Sequence, residues 1–187
     1  YVPFNKHVPF MDFNYKLADL EDIPNIKGLM QLSINKLLGH YVDEDELEAS
    51  FESMGLDDQL IKDKTYFLIY FERLLVGCGG WSHRKTLFGG NHTPNRSNDF
   101  LNPINDAAKI RAMYTHPDWA RKGVGTLILK IAEKEAATSG FKRCELMATL
   151  SGIHLYKVRG YTIDDEILYK SKKGNSVKMF KMTKLLS

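Results

Sequence analysis

A chain of 187 residues is the length of a single domain, and a 43% hydrophobic content is enough to fill a core. The net charge of +3, from 26 basic and 23 acidic residues, is too mild for a nucleic-acid-binding face. No apolar run approaches the ~18 residues that a membrane-spanning helix needs. Cys78 and Cys144 each fall among apolar or Gly neighbours within predicted strands. That setting fits buried free thiols in a reducing, cytoplasmic compartment better than a disulfide.

The chain begins with Tyr1 and shows no charged-then-apolar leader pattern. Met11 is expected to be the natural start, with residues 1–12 an arm or remnant and residues 13–187 the domain. Phe13 to Ala18 alternates apolar and polar residues and predicts a strand. Asp19 and Asp22 are N-cap candidates, Pro24 suits a first helical turn, and Ile26, Leu29, Met30, Ile34, Leu37 and Leu38 recur at helical spacing up to Gly39. Asp43 opens a second, acidic helix with Leu47 and Phe51 on one face, ending near Gly55. Thr65 to Phe71 and Leu75 to Ser82 predict two strands joined at Glu72-Arg73. Gly77, Gly79 and Gly80 thin the second strand, which points to a bulge or a close approach there.

Residues 85–106 show no periodicity and are rich in Asn, Gly and Pro. A connection this long is either a functional lid or a loose insertion. Cys78, His83 and His92 lack zinc spacing and a fourth ligand, so no metal is expected. Ala107 to Thr115 predicts a central strand. Val124 to Ala137 predicts a helix with Leu127, Ile128, Ile131 and Ala132 inward and Lys130, Glu133 and Lys134 outward. A strand over Phe141 to Thr149, a short helix over Ser151 to Val158 and a hairpin over Tyr161 to Leu185, turning at Lys172-Lys173-Gly174-Asn175, complete one mixed α/β domain. There are no repeats and no second core.

The most informative stretch is His116 to Thr126. It places a Pro turn, then Arg121-Lys122, then Gly123-Val124-Gly125 between a strand and a helix start. Unpaired N–H groups and a partial positive charge at that helix start attract phosphate, and Arg121 and Lys122 add two full charges. It is not a P-loop, because Lys122 precedes Gly123 instead of following a second Gly. It is not the dinucleotide fingerprint, because Ile128 stands where a small residue is needed. An acetyl-CoA pyrophosphate loop, Arg/Gln-x-x-Gly-x-Gly/Ala after an extended segment, fits at every position except its first, Ala120.

Met113 to Thr126 together with Phe141 to Tyr161 resembles the core of the GNAT superfamily of N-acetyltransferases. Leu155-Tyr156-Lys157-Val158-Arg159-Gly160-Tyr161 is similar to that family's Phe-Tyr-x-x-x-Gly-Phe signature, and the two blocks come in the family's order. The resemblance runs from about Asn14 to Leu186. It implies a central, mostly antiparallel twisted sheet of about seven strands with flanking helices, whose strands four and five splay apart. It implies acetyl-CoA as co-substrate, bound by the Met113, Tyr114 and Thr115 backbone and by Arg121, Lys122, Gly123, Val124, Gly125 and Thr126. It implies Tyr156 as the group that meets the departing sulfur. The acceptor side would draw on the helical pair, with His40, Tyr41 and Asp43, and on the end of the strand carrying Trp81 and Arg84.

Many family members carry a Glu base on the fourth strand, but Lys109 to Thr115 holds no carboxylate. Arg111 occupies that region and is expected to greet an anionic acceptor group. His83, His116 or a water relay could take the amine's proton. The resemblance therefore implies transfer of an acetyl group to an amine of a small molecule or peptide by direct attack, with neither nucleic acid nor membrane as partner. Homodimers are common in such folds, which leaves the oligomeric state open. A non-catalytic acetyl-CoA-binding sensor or regulatory module is the second reading.

Overall fold

The computed structural model describes residues 12–187. The arm expected over residues 1–12 therefore falls, Asp12 apart, outside the described residues, as does Met11. Strand β1 (Phe13–Leu17) leads into a short turn over Leu20–Asp22 and helix α1 (Ile23–Lys36). Helix α2 (Glu44–Ser53) starts at Asp43, whose carboxylate accepts from Glu46 N–H at 2.8 Å, while Glu46 accepts from Asp43 N–H at 3.1 Å. That reciprocal cap satisfies two backbone donors that the helix start leaves open. Sequence periodicity missed helix α3 (Asp58–Lys62), which is too short to show a period and is opened by Asp57 accepting from Gln59 N–H.

Strands β2 (Tyr66–Phe71), β3 (Leu74–Ser82) and β4 (Ala108–Thr115) follow, then helix α4 (Val124–Thr138), β5 (Arg143–Ala148), helix α5 (Ile153–Val158), β6 (Thr162–Lys170) and β7 (Ser176–Leu185). They form one seven-stranded sheet in the order β1-β2-β3-β4-β5-β7-β6. Every neighbouring pair is antiparallel except β4 and β5. Among the described residues no helix is long and apolar enough to cross a membrane.

The sheet is covered on both faces. Ile26, Leu29, Met30 and Ile34 of α1 pack with Tyr66, Leu68, Cys78 and Tyr114 on one side. On the other, Leu129, Ala132 and Ala136 of α4 pack with Ile110, Cys144, Leu146 and Met182. The buried stripe of α4 sits slightly further round than expected. Leu129 and Ala136 join Ile128 and Ala132 inside, while Leu127 and Ile131 are half-buried at its edge. A helix on a twisted sheet buries a stripe over 100° wide, so residues at its margin differ little in spacing from those at its centre. The glycines of β3 let α4 lie close, and a Cβ on Gly77 would come within 2.3 Å of the Val124 side chain.

Strands β4 and β5 register only at Ala108↔Cys144 and Lys109↔Glu145, where a Lys109–Glu145 ion pair joins them. Beyond Lys109 they diverge, so the edge of β4 that faces β5 has no ladder partner there. The splay expected of strands four and five is therefore present.

Burial raises both thiols, Cys78 and Cys144, to about 12. Burial likewise raises the phenols of Tyr66, Tyr114, Tyr156 and Tyr161. Groups that ionise more easily when unfolded make the unfolded state the weaker proton binder at high pH. Stability is therefore expected to be unaffected by these groups below about pH 9 and to fall as pH rises towards 12, by up to about 1.4 kcal/mol per pH unit for each thiol. Thermal melts across that range check the direction, and neither cysteine should react with a thiol reagent until the chain unfolds.

Candidate functional site

The cleft between the splayed strands is built around an irregularity in β4. Cys78 pairs with Tyr114 but Gly80 pairs with Arg111, so Ala112 and Met113 together face Gly79. Ala112 takes a positive φ of 51°, and its carbonyl accepts the Tyr66 hydroxyl at 2.8 Å. This is a β-bulge, the device that re-aims a strand where something else must approach. The glycines of β3 pointed to a bulge or a close approach; β3 has a register shift of its own beside Gly77, where Ile69 pairs with Gly77 and Tyr70 with Leu75, and the bulge on β4 lies opposite Gly79.

At the bulge, the Tyr156 hydroxyl on α5 lies 3.7 Å from Met113 Sδ, a weak contact for a buried phenol. Burial alone lifts its pKa, so the phenol stays protonated. Tyr114 points its ring towards α1, and its hydroxyl accepts from Gly55 N–H at 3.0 Å. Only the Tyr114 backbone is free to meet a coenzyme arm. Met113 and Thr115 flank it along the same unpartnered strand edge.

Past β4, the His116 ring Nδ1 accepts from Asp118 N–H at 3.1 Å and caps a short turn over Pro117–Trp119. The loop then bends through Arg121, at φ 60°, to Gly123, at φ 91°. Gly123 is the N-cap of α4 in the left-handed region, which a side chain with a Cβ enters only under strain. The first helical bond runs from Leu127 N–H to Gly123 O, so the N–H groups of Val124, Gly125 and Thr126 precede it. No side chain caps them and no acidic residue sits in the first turn. Arg121 and Lys122 are exposed beside them, with Lys122 Nζ 5.0 Å from the centre of the Trp119 ring. At Gly125 a Cβ would fall 2.5 Å from Leu155 on α5, so this glycine lets the two helices that frame the cleft come together. The donor chemistry fits a pyrophosphate: free amides, a helix dipole and two exposed cations.

The other end of the cleft is walled by Ser53, Met54 and Gly55 after α2, by Leu87, Phe88 and Gly89, and by Met147 and Met179 of β5 and β7. Sequence reasoning missed most of this wall. Residues 85–106 are neither loose nor a free lid. Lys85 N–H donates to Asp99 O, Leu101 N–H to His83 O, Asn91 N–H to Leu56 O and the Thr93 hydroxyl to Glu52 O. Asp57, buried at 2% exposure, is the central fastener, accepting from Arg111 at 3.2 Å and pairing with Arg96. Arg111 in turn donates to the carbonyls of Thr86 and Gly89. An Asp after Leu56 and before a short amphipathic stretch was readable as a helix cap; its second role was not.

The expected acceptor contacts are placed as follows. Arg111 lines the cleft, but its guanidinium is 2% exposed and is spent on Asp57 and on the wall's carbonyls. Trp81 lies on the α4 side of the sheet, its indole N–H donating to Glu135 at 2.8 Å, away from the cleft. Arg84 is bidentate to Asp63, at 2.7 and 2.9 Å, and lies over the Phe100 ring. Trp81 faces α4 because alternation along β3 sends it to that face, and Arg84 is captured because Asp63 ends α3 beside it. Of the expected bases, His83 stacks on Phe100 and His116 caps its turn. His154, near Tyr156 in sequence, is exposed. Among the described residues that line the cleft there is no carboxylate or imidazole. His40, Tyr41 and Asp43 sit at the start of α2; Asp43 is its cap and is not in the cleft wall.

The comparisons agree with this geometry. A GCN5-related N-acetyltransferase structure from Rhodopseudomonas palustris superposes with a TM-score of 0.68 at 19% identity, over 92% of this chain and 95% of that one. The PaiA N-acetyltransferase of Thermoplasma acidophilum, solved with coenzyme A, gives 0.62 at 14% identity, over 94% and 99%. YncA of Salmonella typhimurium, solved with acetyl-CoA, gives 0.62 at 14%, over 94% and 95%. At such identities these likenesses establish the fold. No curated protein matches the sequence. The sequence profile of the acetyltransferase (GNAT) family matches residues 32–161, which takes in the bulged β4, the Arg121–Thr126 loop and the Tyr156 signature. The chain belongs to the acetyltransferase (GNAT) family.

Proposed function

We propose that this protein is an acetyl-CoA-dependent N-acetyltransferase that moves an acetyl group to an amine by direct attack. The observation that carries the reading is the alignment of three features along one cleft. These are the uncapped start of α4, the unpartnered edge of bulged β4 and the buried phenol of Tyr156. The N–H groups of residues 121–126, with Arg121 and Lys122, hold the pyrophosphate. The Met113-Tyr114-Thr115 backbone pairs with the pantetheine arm as a strand would, and a β4 N–H polarises the carbonyl under attack.

Acetyl-CoA supplies the acyl group as a thioester. A new C–N bond forms, the C–S bond breaks, and the chain's task is to stabilise charge on the departing sulfur. A phenol near 10 giving its proton outright to a thiol near 8.5 is uphill by about 2 kcal/mol, and burial of Tyr156 widens that gap. Tyr156 therefore acts as a hydrogen-bond donor to the developing thiolate, whose proton comes from solvent. The amine's proton also leaves to water, since the cleft walls offer no ionised base.

The test is release of free CoA thiol from acetyl-CoA over a panel of amines. Release that needs both protein and amine is the expected result. Binding of acetyl-CoA with no release on any amine would assign the chain to sensing or regulation instead.

A further inference from the structure

The acceptor end of the cleft is lined by mainly apolar side chains, set among backbone groups and the hydroxyls of Ser53 and Thr149, with a surplus of positive charge behind them. Its lining side chains include Met54, Leu87, Phe88, Ile110, Met147 and Met179. Behind them the guanidiniums of Arg111 and Arg96 share the single carboxylate of Asp57. The phenols of Tyr114 and Tyr156 are kept uncharged by burial. Two other carboxylates adjoin the lining in sequence: Glu145, which pairs with Lys109 and Lys181, and Glu52, which is taken by the Tyr169 hydroxyl and by Lys172 N–H. Glu52 belongs to the adjoining groove with His92, Lys172 and Lys173.

An ammonium entering this end leaves water, gains no free counter-ion from the lining and meets two cations against one anion. Both effects favour the neutral amine. On the reading of the site given above, we propose that the acceptor is an apolar-bodied amine that is already largely uncharged near neutral pH. It is the α-amine at the start of a peptide with an apolar first residue, or a small-molecule amine of the same basicity.

The populations set the size of the effect. At about pH 7.4 an α-amine of pKa about 7.8 is roughly one-quarter neutral, whereas a lysine side chain near 10.4 is neutral in about one molecule per thousand. The more basic amine recovers part of that deficit by being the better nucleophile, which leaves a preference of about a hundredfold. The four-carbon stem of a lysine would fit such a lining, so the discrimination rests on protonation and not on shape. Thioether walls adapt to varied apolar bodies, so the first residue's shape is expected to matter less than its polarity.

The experiment measures kcat/KM against pH with three acceptors at saturating acetyl-CoA. One is a Leu-initiated peptide with its lysine blocked. The second is the same peptide with its N-terminus blocked and its lysine free. The third is a series of phenylalkylamines whose basicity is stepped down by fluorination. The α-amine should be preferred over lysine by about a hundredfold at neutral pH, with its rate levelling near pH 8. The basic amines should climb about tenfold per pH unit up to their own pKa. Whichever of the peptide and the weakly basic phenylalkylamine gives the higher value identifies the source of the acceptor. Equal use of lysine, or a basic-amine profile that is flat between about pH 7 and 9, would show a built-in proton acceptor and overturn the proposal. Calorimetry with acetyl-CoA separates the two levels. No binding removes the underlying reading, whereas binding with a preference for basic amines, or with neither class used, removes this proposal alone.

Discussion

Tyr156→Phe is expected to lower kcat about a hundredfold while leaving acetyl-CoA affinity within about threefold of wild type. The hydroxyl has no strong partner in the free protein: its one contact is Met113 Sδ at 3.7 Å. Its removal therefore costs little stability, and the ring still fills its place against Tyr161. What is lost is a donor aimed at charge that develops only as the C–S bond breaks. An interaction made only then shows in kcat and not in binding. Steady-state kinetics beside a calorimetric titration make the check. A kcat within threefold of wild type would mean that sulfur leaves without help from this phenol.

Asp57→Ala is expected to be the most damaging single change away from the coenzyme. Asp57 caps α3, and it neutralises Arg111 and Arg96 where both side chains are largely shielded from water. Removing one partner of a buried ion pair leaves an uncompensated charge and costs about 3–5 kcal/mol. For a chain of this length that is a fall in Tm of about 10 °C. The same change frees Arg111 from the segment bearing Thr86 and Gly89, so acceptor KM should rise even where the protein remains folded. Adding Arg111→Met should recover part of the stability, because it removes a stranded cation, but not the wall. A melting temperature within about 2 °C of wild type would show that Asp57 is not the fastener described.

The elements that the sequence made legible are those with strong local causes. Helical spacing from Ile26 to Leu38, the helix opened by Asp43 and the β-rich run after Thr65 each appear close to where they were expected. The Arg121–Thr126 loop was legible because a left-handed Gly123 and an uncapped helix start leave a signature within a few residues. The far wall of the cleft was not, because it and the groove beside it are assembled from distant segments. Asp57 meets Arg111 and Arg96, and Glu48 and Glu52 on α2 reach across to Ser171, Asn175 and Tyr169 at the β6–β7 hairpin. No periodicity announces a contact between residues so far apart in the chain. Arg111 was singled out for its charge, but its two carbonyl partners lie in the one stretch with no readable pattern. Trp81 was named as a contact at the end of its strand, and the local sequence does not reveal that its ring turns towards α4.

The most direct test of the whole account is titration of the protein with acetyl-CoA, CoA and pantetheine, repeated with Gly123→Val. Gly123 has open space around it, so its replacement strains the backbone of the phosphate loop without a clash. Heat is expected on binding acetyl-CoA and CoA, with binding weakened about tenfold or more by raised salt or by the Gly123 variant, and far weaker binding of pantetheine. Absence of heat with both coenzymes, or affinity that is indifferent to the diphosphate and to Gly123, would contradict it.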